Sequence, residues 1–144
     1  MLHQKVEAQL SKCEKIQIYG VSSWSSTLPK LPGIYVVWNR DNKIVYVGET
    51  SNIQERMNDL KDTRHHTLRR AVGHMEFSKE PDFHKANSKV KFLPLIEKMV
   101  TEFFKINLSL TYCATKIGRK EFEEYLVKKY EPEYNSSLGR RHII

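Results

Sequence analysis

The sequence predicts an α+β (mixed α/β) fold, a small, mainly antiparallel three-stranded sheet flanked by helices. Three observations point there. The chain has 144 residues, one domain's worth, with 40% hydrophobic and 28% charged residues, the balance of a globular protein. Two β-branched and aromatic runs, split by turn residues, lie between positions 33 and 48. Before and after them, apolar residues recur at helical spacing.

Each element follows in order. Leu2, Val6, Leu10 and Cys13 keep close to a 3.6 period, which predicts a short amphipathic helix over 2–13. The Ser-rich stretch 22–27, then Pro29 and Pro32, breaks regular structure and predicts an extended approach. Gly33–Trp38 and Ile44–Gly48 read as the strands of a hairpin, and Asn39-Arg40-Asp41-Asn42 as its turn. Thr50, Ser51 and Asn52 offer caps for a helix carrying Ile53, Met57 and Leu60. A polar, His-rich stretch (62–67) leads to a short helix over Leu68–Val72, and residues 73–91 read as a long loop or strand-like excursion. Phe92–Phe104 carries a strong helical stripe. Leu108–Ala114 alternates with the period of a half-buried strand. Phe122, Tyr125, Leu126 and Tyr130 define a last helix over 120–130, which Pro132 stops.

Charge narrows the function classes. Lys plus Arg number 24 against 17 Asp plus Glu, a formal net charge of +7, which favours a polyanionic partner, nucleic acid before an acidic membrane surface. No apolar run approaches the roughly 20 residues that cross a bilayer. Met1–Glu7 lacks the apolar stretch of a secretory signal, so a cytoplasmic protein is expected. Two cysteines, Cys13 and Cys113, are too few for a disulfide scaffold and read as reduced thiols.

Some residues suit chemistry. Tyr35 and Tyr46 lie on adjacent strands with ten residues between them; a turn centred near Asp41-Asn42 would set them roughly across from each other on one face. Gly48 ends the second strand, where it permits close backbone approach or a positive φ. Arg56 stands one turn into the next helix, and Glu123 beside the apolar stripe of the last. A proton acceptor, a cation and a metal-holding carboxylate on a basic surface suit phosphodiester chemistry. Singly, each has an ordinary reading: tyrosines pack well in strands, and Arg56 and Glu123 fit solvated helix faces.

Together these residues resemble the GIY-YIG nuclease superfamily. Gly33-Ile34-Tyr35 reproduces its first signature, and Tyr46-Val47-Gly48 its second with Val for Ile. Arg56, ten positions after Tyr46, matches its catalytic arginine. Glu123, twelve positions before Asn135 in Pro132-Glu133-Tyr134-Asn135, matches its metal-binding glutamate. The resemblance covers 33–60 and 117–135 within one domain over 1–144, leaving a helical extension (1–30) and an insertion (61–106) outside it. It implies an endonuclease that hydrolyses DNA phosphodiesters with Mg²⁺ or Mn²⁺. Tyr35 would be the first choice as general base and Tyr46 the second, with Arg56 on the scissile phosphate, Glu123 on the metal and Asn135 bracing the site. One departure is Glu49, where the family often carries Lys; it is left to bind a neighbouring arginine or water, or to mark a subgroup.

Arg64, His65, His66, Arg69 and Arg70, with Lys128 on the last helix, form the expected backbone-gripping set, and His65 or His66 could also accept a proton. Their ordinary reading is a polar loop and a solvated helix face. The expected partner is nucleic acid, double-stranded DNA first, with no membrane; a homodimer is one route to cutting both strands. The alternative is a non-catalytic nucleic-acid-binding module on the same scaffold.

Overall fold

The computed structural model describes residues 2–136; residue 1 and residues 137–144 of the expected 1–144 domain lie outside that range. The order is α1 (Leu2–Lys12), β1 (Ile16–Gln17), β2 (Gly33–Trp38), β3 (Ile44–Thr50), α2 (Ile53–Asn58), a 3-10 turn (Asp59–Lys61), α3 (Thr67–Phe77), α4 (Pro94–Asn107), β4 (Ser109–Ala114), α5 (Arg119–Tyr130) and α6 (Glu133–Ser136). The sheet has four strands in the order β1-β4-β2-β3, all pairs antiparallel. This corrects the expected three. The extra strand is two residues long, too short for any alternation, and exists because Ile16 and Gln17 pair with Leu110 and Ser109 of β4.

Central β2 is buried along its whole length, which explains its continuous apolar sequence. Its two faces meet different layers. Tyr35 and Val37 face a core that includes Leu68 and Val72 of α3 and Ile96, Val100 and Phe104 of α4. Ile34, Val36 and Trp38 face Val6 and Leu10 of α1 and Phe122 and Leu126 of α5. The sheet therefore separates α3 and α4 from α1 and α5.

The hairpin turn works as its residues suggest. Asn39 Oδ1 accepts from the Asp41 and Lys43 amides, and Asn42 takes φ 59°, a conformation asparagine tolerates. A register shift between Val37 and Trp38 sets Tyr35 opposite Gly48 and Val37 opposite Tyr46. The tyrosines are thus diagonal neighbours on one face rather than directly across.

Two helices differ from expectation. α3 runs five residues past Val72, through Gly73, because the Phe92 ring packs on that glycine; a Cβ there would stand 2.2 Å from Phe92 Cζ. Residues 78–93 form the remaining loop, without a strand. α4 starts at Pro94, where a missing N–H costs nothing. Among the described residues no helix is long and apolar enough to cross a membrane, and Cys13 and Cys113 are free thiols.

Candidate active site

The site grows from the crossing of β2 and β3. Tyr35 is 1% exposed, and its ring lies on Gly48: a Cβ at that glycine would sit 2.3 Å from Tyr35 Cζ. Close approach, not backbone twist, is therefore what position 48 requires. The Tyr35 and Tyr46 ring centroids are 6.1 Å apart, and the His66 ring stands 6.2 Å and 6.0 Å from them.

The start of α3 holds both phenols. His66 caps that helix, its Nδ1 accepting from the Leu68 amide at 3.1 Å, while its Nε2 lies 3.2 Å from the Tyr35 hydroxyl. The next residue, Thr67, places Oγ1 2.8 Å from the Tyr46 hydroxyl. Thr67 was absent from the expected site. The signal available was its place directly after a capping residue at the first turn of a helix.

Two guanidiniums border this cluster, and loop carbonyls aim both. Arg56 donates to His65 O at 2.9 Å and to Asp59 Oδ2 at 3.3 Å. Arg70 donates to Thr63 O at 3.0 Å and Arg64 O at 2.8 Å. α2 can present Arg56 half-buried because Ile53 and Met57 bury its other side, and Asn52 caps it through the Glu55 amide.

Proton affinities follow from burial and these charges. Burial pushes the Tyr35 phenol well above its usual value, the Tyr46 charge adds to that, and Arg56 pulls the other way. Burial, then Arg56 and Arg70, hold His66 well below the usual imidazole range. Burial opposes the Arg56 charge, but Tyr35, Tyr46 and Asp59 outweigh it and raise its pKa. Burial and Arg56 lower that of Arg70.

Asn135 lies at the sheet edge. Its Oδ1 accepts from the Val47 amide and its Nδ2 donates to the Val47 carbonyl, each at 2.9 Å. A side-chain amide thereby pairs the outward backbone groups of Val47 on edge strand β3. Glu49, at the end of β3, pairs with Arg119 at 3.2 Å, the first of the roles left open for it. Glu123 is half-buried and follows Arg119 by one helical turn. Its helix packs on the sheet face opposite the tyrosines. α5 packs against β3 and β2, so Glu123 and the phenols belong to layers on opposite faces of the sheet.

The backbone-gripping set divides. Arg69 is 4% exposed; it pairs with Glu97 at 2.9 Å and donates to Thr63, Tyr19 and Thr101. Burial thus corrects its expected contact with substrate: it ties α3 to α4. Arg64 is bound bidentately by Asp62, whose carboxyl it holds well below the usual range. His65 and Lys128 are exposed, and His66 is wholly buried. Tyr35, Tyr46, Arg56, His66 and Arg70 come together.

Comparison with known proteins decides the family: the description "GIY-YIG catalytic domain" matches residues 16–141. The chain belongs to the GIY-YIG family. It is a nuclease domain, and its mixed sheet-and-helix fold is a GIY-YIG fold. The match also takes in 61–106, which the motifs alone did not reach.

GIY-YIG relatives include the UvrABC system protein C of Methanococcus maripaludis, 24% identical over 113 residues, and that of Mesoplasma florum, 28% over 121. They cover 78% and 79% of this chain, which spans only 16% and 14% of their lengths. Among solved structures, the GIY-YIG N-terminal endonuclease domain of UvrC from Thermotoga maritima, bound to its catalytic magnesium, is 17% identical. That alignment covers 77% of this chain and 90% of the other, with a TM-score of 0.43.

Proposed function

We propose that this GIY-YIG domain is a metal-dependent endonuclease acting on DNA, by water attack on a phosphodiester that leaves a 5′-phosphate and a 3′-hydroxyl. The observation that carries the reading is the meeting of Tyr35, Tyr46 and Arg56 on one sheet face, with Arg70 beside them. The tyrosine pair takes the proton of the attacking water. A free phenol titrates near 10, so it needs positive neighbours to act as a base. Two guanidiniums and the N-terminus of α3 supply them.

Arg56 engages the scissile phosphate, its planar fork matching two phosphate oxygens. Arg70 neutralises a neighbouring phosphate. Asn135 holds β3, and with it Tyr46, at a fixed height along the edge.

Glu123 is the residue that would hold a divalent cation. Among the described residues no three or more His, Cys, Asp or Glu side chains cluster as a metal cage. One hard carboxylate suits Mg²⁺ or Mn²⁺, which keep several waters, better than zinc, which takes three or four protein ligands, mostly nitrogen and sulfur. When bound, the cation supplies charge stabilisation for the phosphate as it gains negative charge.

The test is incubation of the purified protein with supercoiled plasmid, with and without Mg²⁺. Cleavage only with the cation, abolished in Glu123→Ala and Arg56→Ala, is expected. Wild-type cutting by both variants would overturn the assignment. Metal-independent binding with no product would favour the binding module instead.

A further inference from the structure

Two thiols sit on opposite sides of the seam between α1 and the sheet. α1 packs on β4 and α5, and it precedes the family-matched residues 16–141. Its middle is tied to α5. There the Glu7 carboxylate accepts from the Tyr125 hydroxyl at 3.0 Å, the Lys129 ammonium at 2.8 Å and the Tyr130 hydroxyl. Its C-terminal end meets β4 through sulfur.

Those sulfur contacts cross. Cys13, one residue past α1, still closes a helical turn, its amide donating to Gln9 O at 3.0 Å. Its Sγ donates to the carbonyl of Tyr112, the residue before Cys113, at 3.8 Å. Cys113 Sγ donates the other way, to Oε1 of Gln9 at 3.3 Å. Each sulfur thus reaches the segment that carries the other. Neither belongs to the phenol site.

Their accessibility differs. Cys113 is 4% exposed, packed with Ile34 and Val36 of β2 in the core beneath α1. Cys13 is half-buried and lines an open cleft of about 620 Å³ with Gln9, Lys15, Ile16 and Tyr112. Burial, and then the neighbouring Cys13, push the Cys113 thiol above its usual range. A thiolate is the attacking form, so the sulfur that solvent reaches reacts first.

We propose that Cys13 and Cys113 are an exchangeable thiol pair, which a small disulfide of the glutathione type converts to an intramolecular bond fastening α1 to β4. Cys13 gives its proton to solvent, and its thiolate attacks one sulfur of the small disulfide in the cleft. A mixed S–S bond forms, the small disulfide's own bond breaks, and one small thiolate leaves. Cys113 then loses its proton and attacks Cys13 Sγ. The mixed bond breaks and the second small thiolate leaves. Two protein thiols are oxidised, one small disulfide is reduced to two thiols, and these take up the two protons released.

The same exchange run backwards opens the bond, so the ratio of small disulfide to small thiol decides whether α1 is fastened. The bond joins positions 13 and 113, and linking points so distant along the chain restricts the unfolded state strongly. It also lands one strand from the site, since β4 pairs Cys113 with Ile34 and Tyr112 with Tyr35.

The test uses the full chain, reduced, freed of reductant and incubated with glutathione disulfide. Remaining thiols are then blocked with iodoacetamide and the intact mass is read. The expected product is a monomer two hydrogens lighter than the reduced chain, with no blocked cysteine. Its peptides carrying Cys13 and Cys113 should stay joined until dithiothreitol is added. Cys113→Ala is expected to stop at a glutathione adduct on Cys13, and Cys13→Ser to leave the buried Cys113 unmodified. In wild type, a lasting adduct on Cys13, a disulfide-linked dimer or two free thiols would each overturn the proposal.

The fastening is read separately. The linked chain is expected to melt higher than the reduced one, and its α1 amides to exchange roughly thirtyfold more slowly, the factor matching the lower end of the usual disulfide contribution. Unchanged α1 exchange in the linked chain would overturn it. Neither readout involves nucleic acid, so the hydrolytic reading stands or falls apart from both.

Discussion

Gly48 is the residue on which the tyrosine pair turns. The Tyr35 ring occupies the space a methyl group would need, with Oη and Cζ within 2.4 Å and 2.3 Å of an added Cβ. Gly48→Ala is expected to push the phenol off His66. It should lower stability by about 1–3 kcal/mol, as overpacking does, and reduce nicking more than the stability loss explains. Urea unfolding alongside the plasmid assay measures both. His66 gives a second prediction, with its sign fixed by burial. Its folded pKa is depressed, so the unfolded chain takes up a proton first as pH falls. The stability it confers is complete above about 6.5, the unfolded value. Below that pH it is lost with a slope of about 1.4 kcal/mol per unit until the folded pKa is reached. Comparing Tm between wild type and His66→Asn from pH 7 to pH 5 isolates this contribution, since His74, also depressed by burial, is common to both.

At the scale of elements, α3 is a lever with one face in the core and its N-terminus in the site. Arg69 anchors it to α4 through Glu97, and Arg70, one residue on, turns toward the phenols. Arg69→Ala leaves the Glu97 carboxylate without its cation and is expected to cost about 3–5 kcal/mol of stability, as breaking a buried pair does. Arg70→Ala is expected to cost about 1–2 kcal/mol, the order of its lost hydrogen bonds to loop carbonyls and less than Arg69→Ala, and to lower the salt slope of DNA binding by about one. Thermal melts and a binding titration over several salt concentrations distinguish the two. The same pair shows where sequence stops being legible. The hairpin, its turn and the cap of α2 were readable because β-branched runs, turn chemistry and capping are local. Arg69 looked like its neighbour because its partners come from α4 and Tyr19, far along the chain. β1 was invisible for a related reason: two residues become a strand only when β4 is beside them. α3 outran its expected end because the ring that accommodates Gly73 belongs to Phe92.

For the whole molecule, the sheet is both scaffold and partition. The phenols and Arg56 lie on one face, α5 with Glu123 packs on the other, and Asn135 pairs with Val47 of edge strand β3. On the proposed reading, a phosphate that engages Arg56 and a cation held by Glu123 would have to reach both faces of the sheet. On the same reading, the formal charge of +7 would draw a duplex to the protein without sequence information. One such site per chain would cut one strand at a time. Supercoiled plasmid is therefore expected to pass first to nicked circles, at a rate proportional to protein concentration. Linear product should follow later, from independent second cuts. Gel time courses at several protein concentrations measure this. Linear product arising together with nicked circles, at a rate rising with the square of concentration, would instead require two chains to act as a homodimer with their β3 edges on opposite strands.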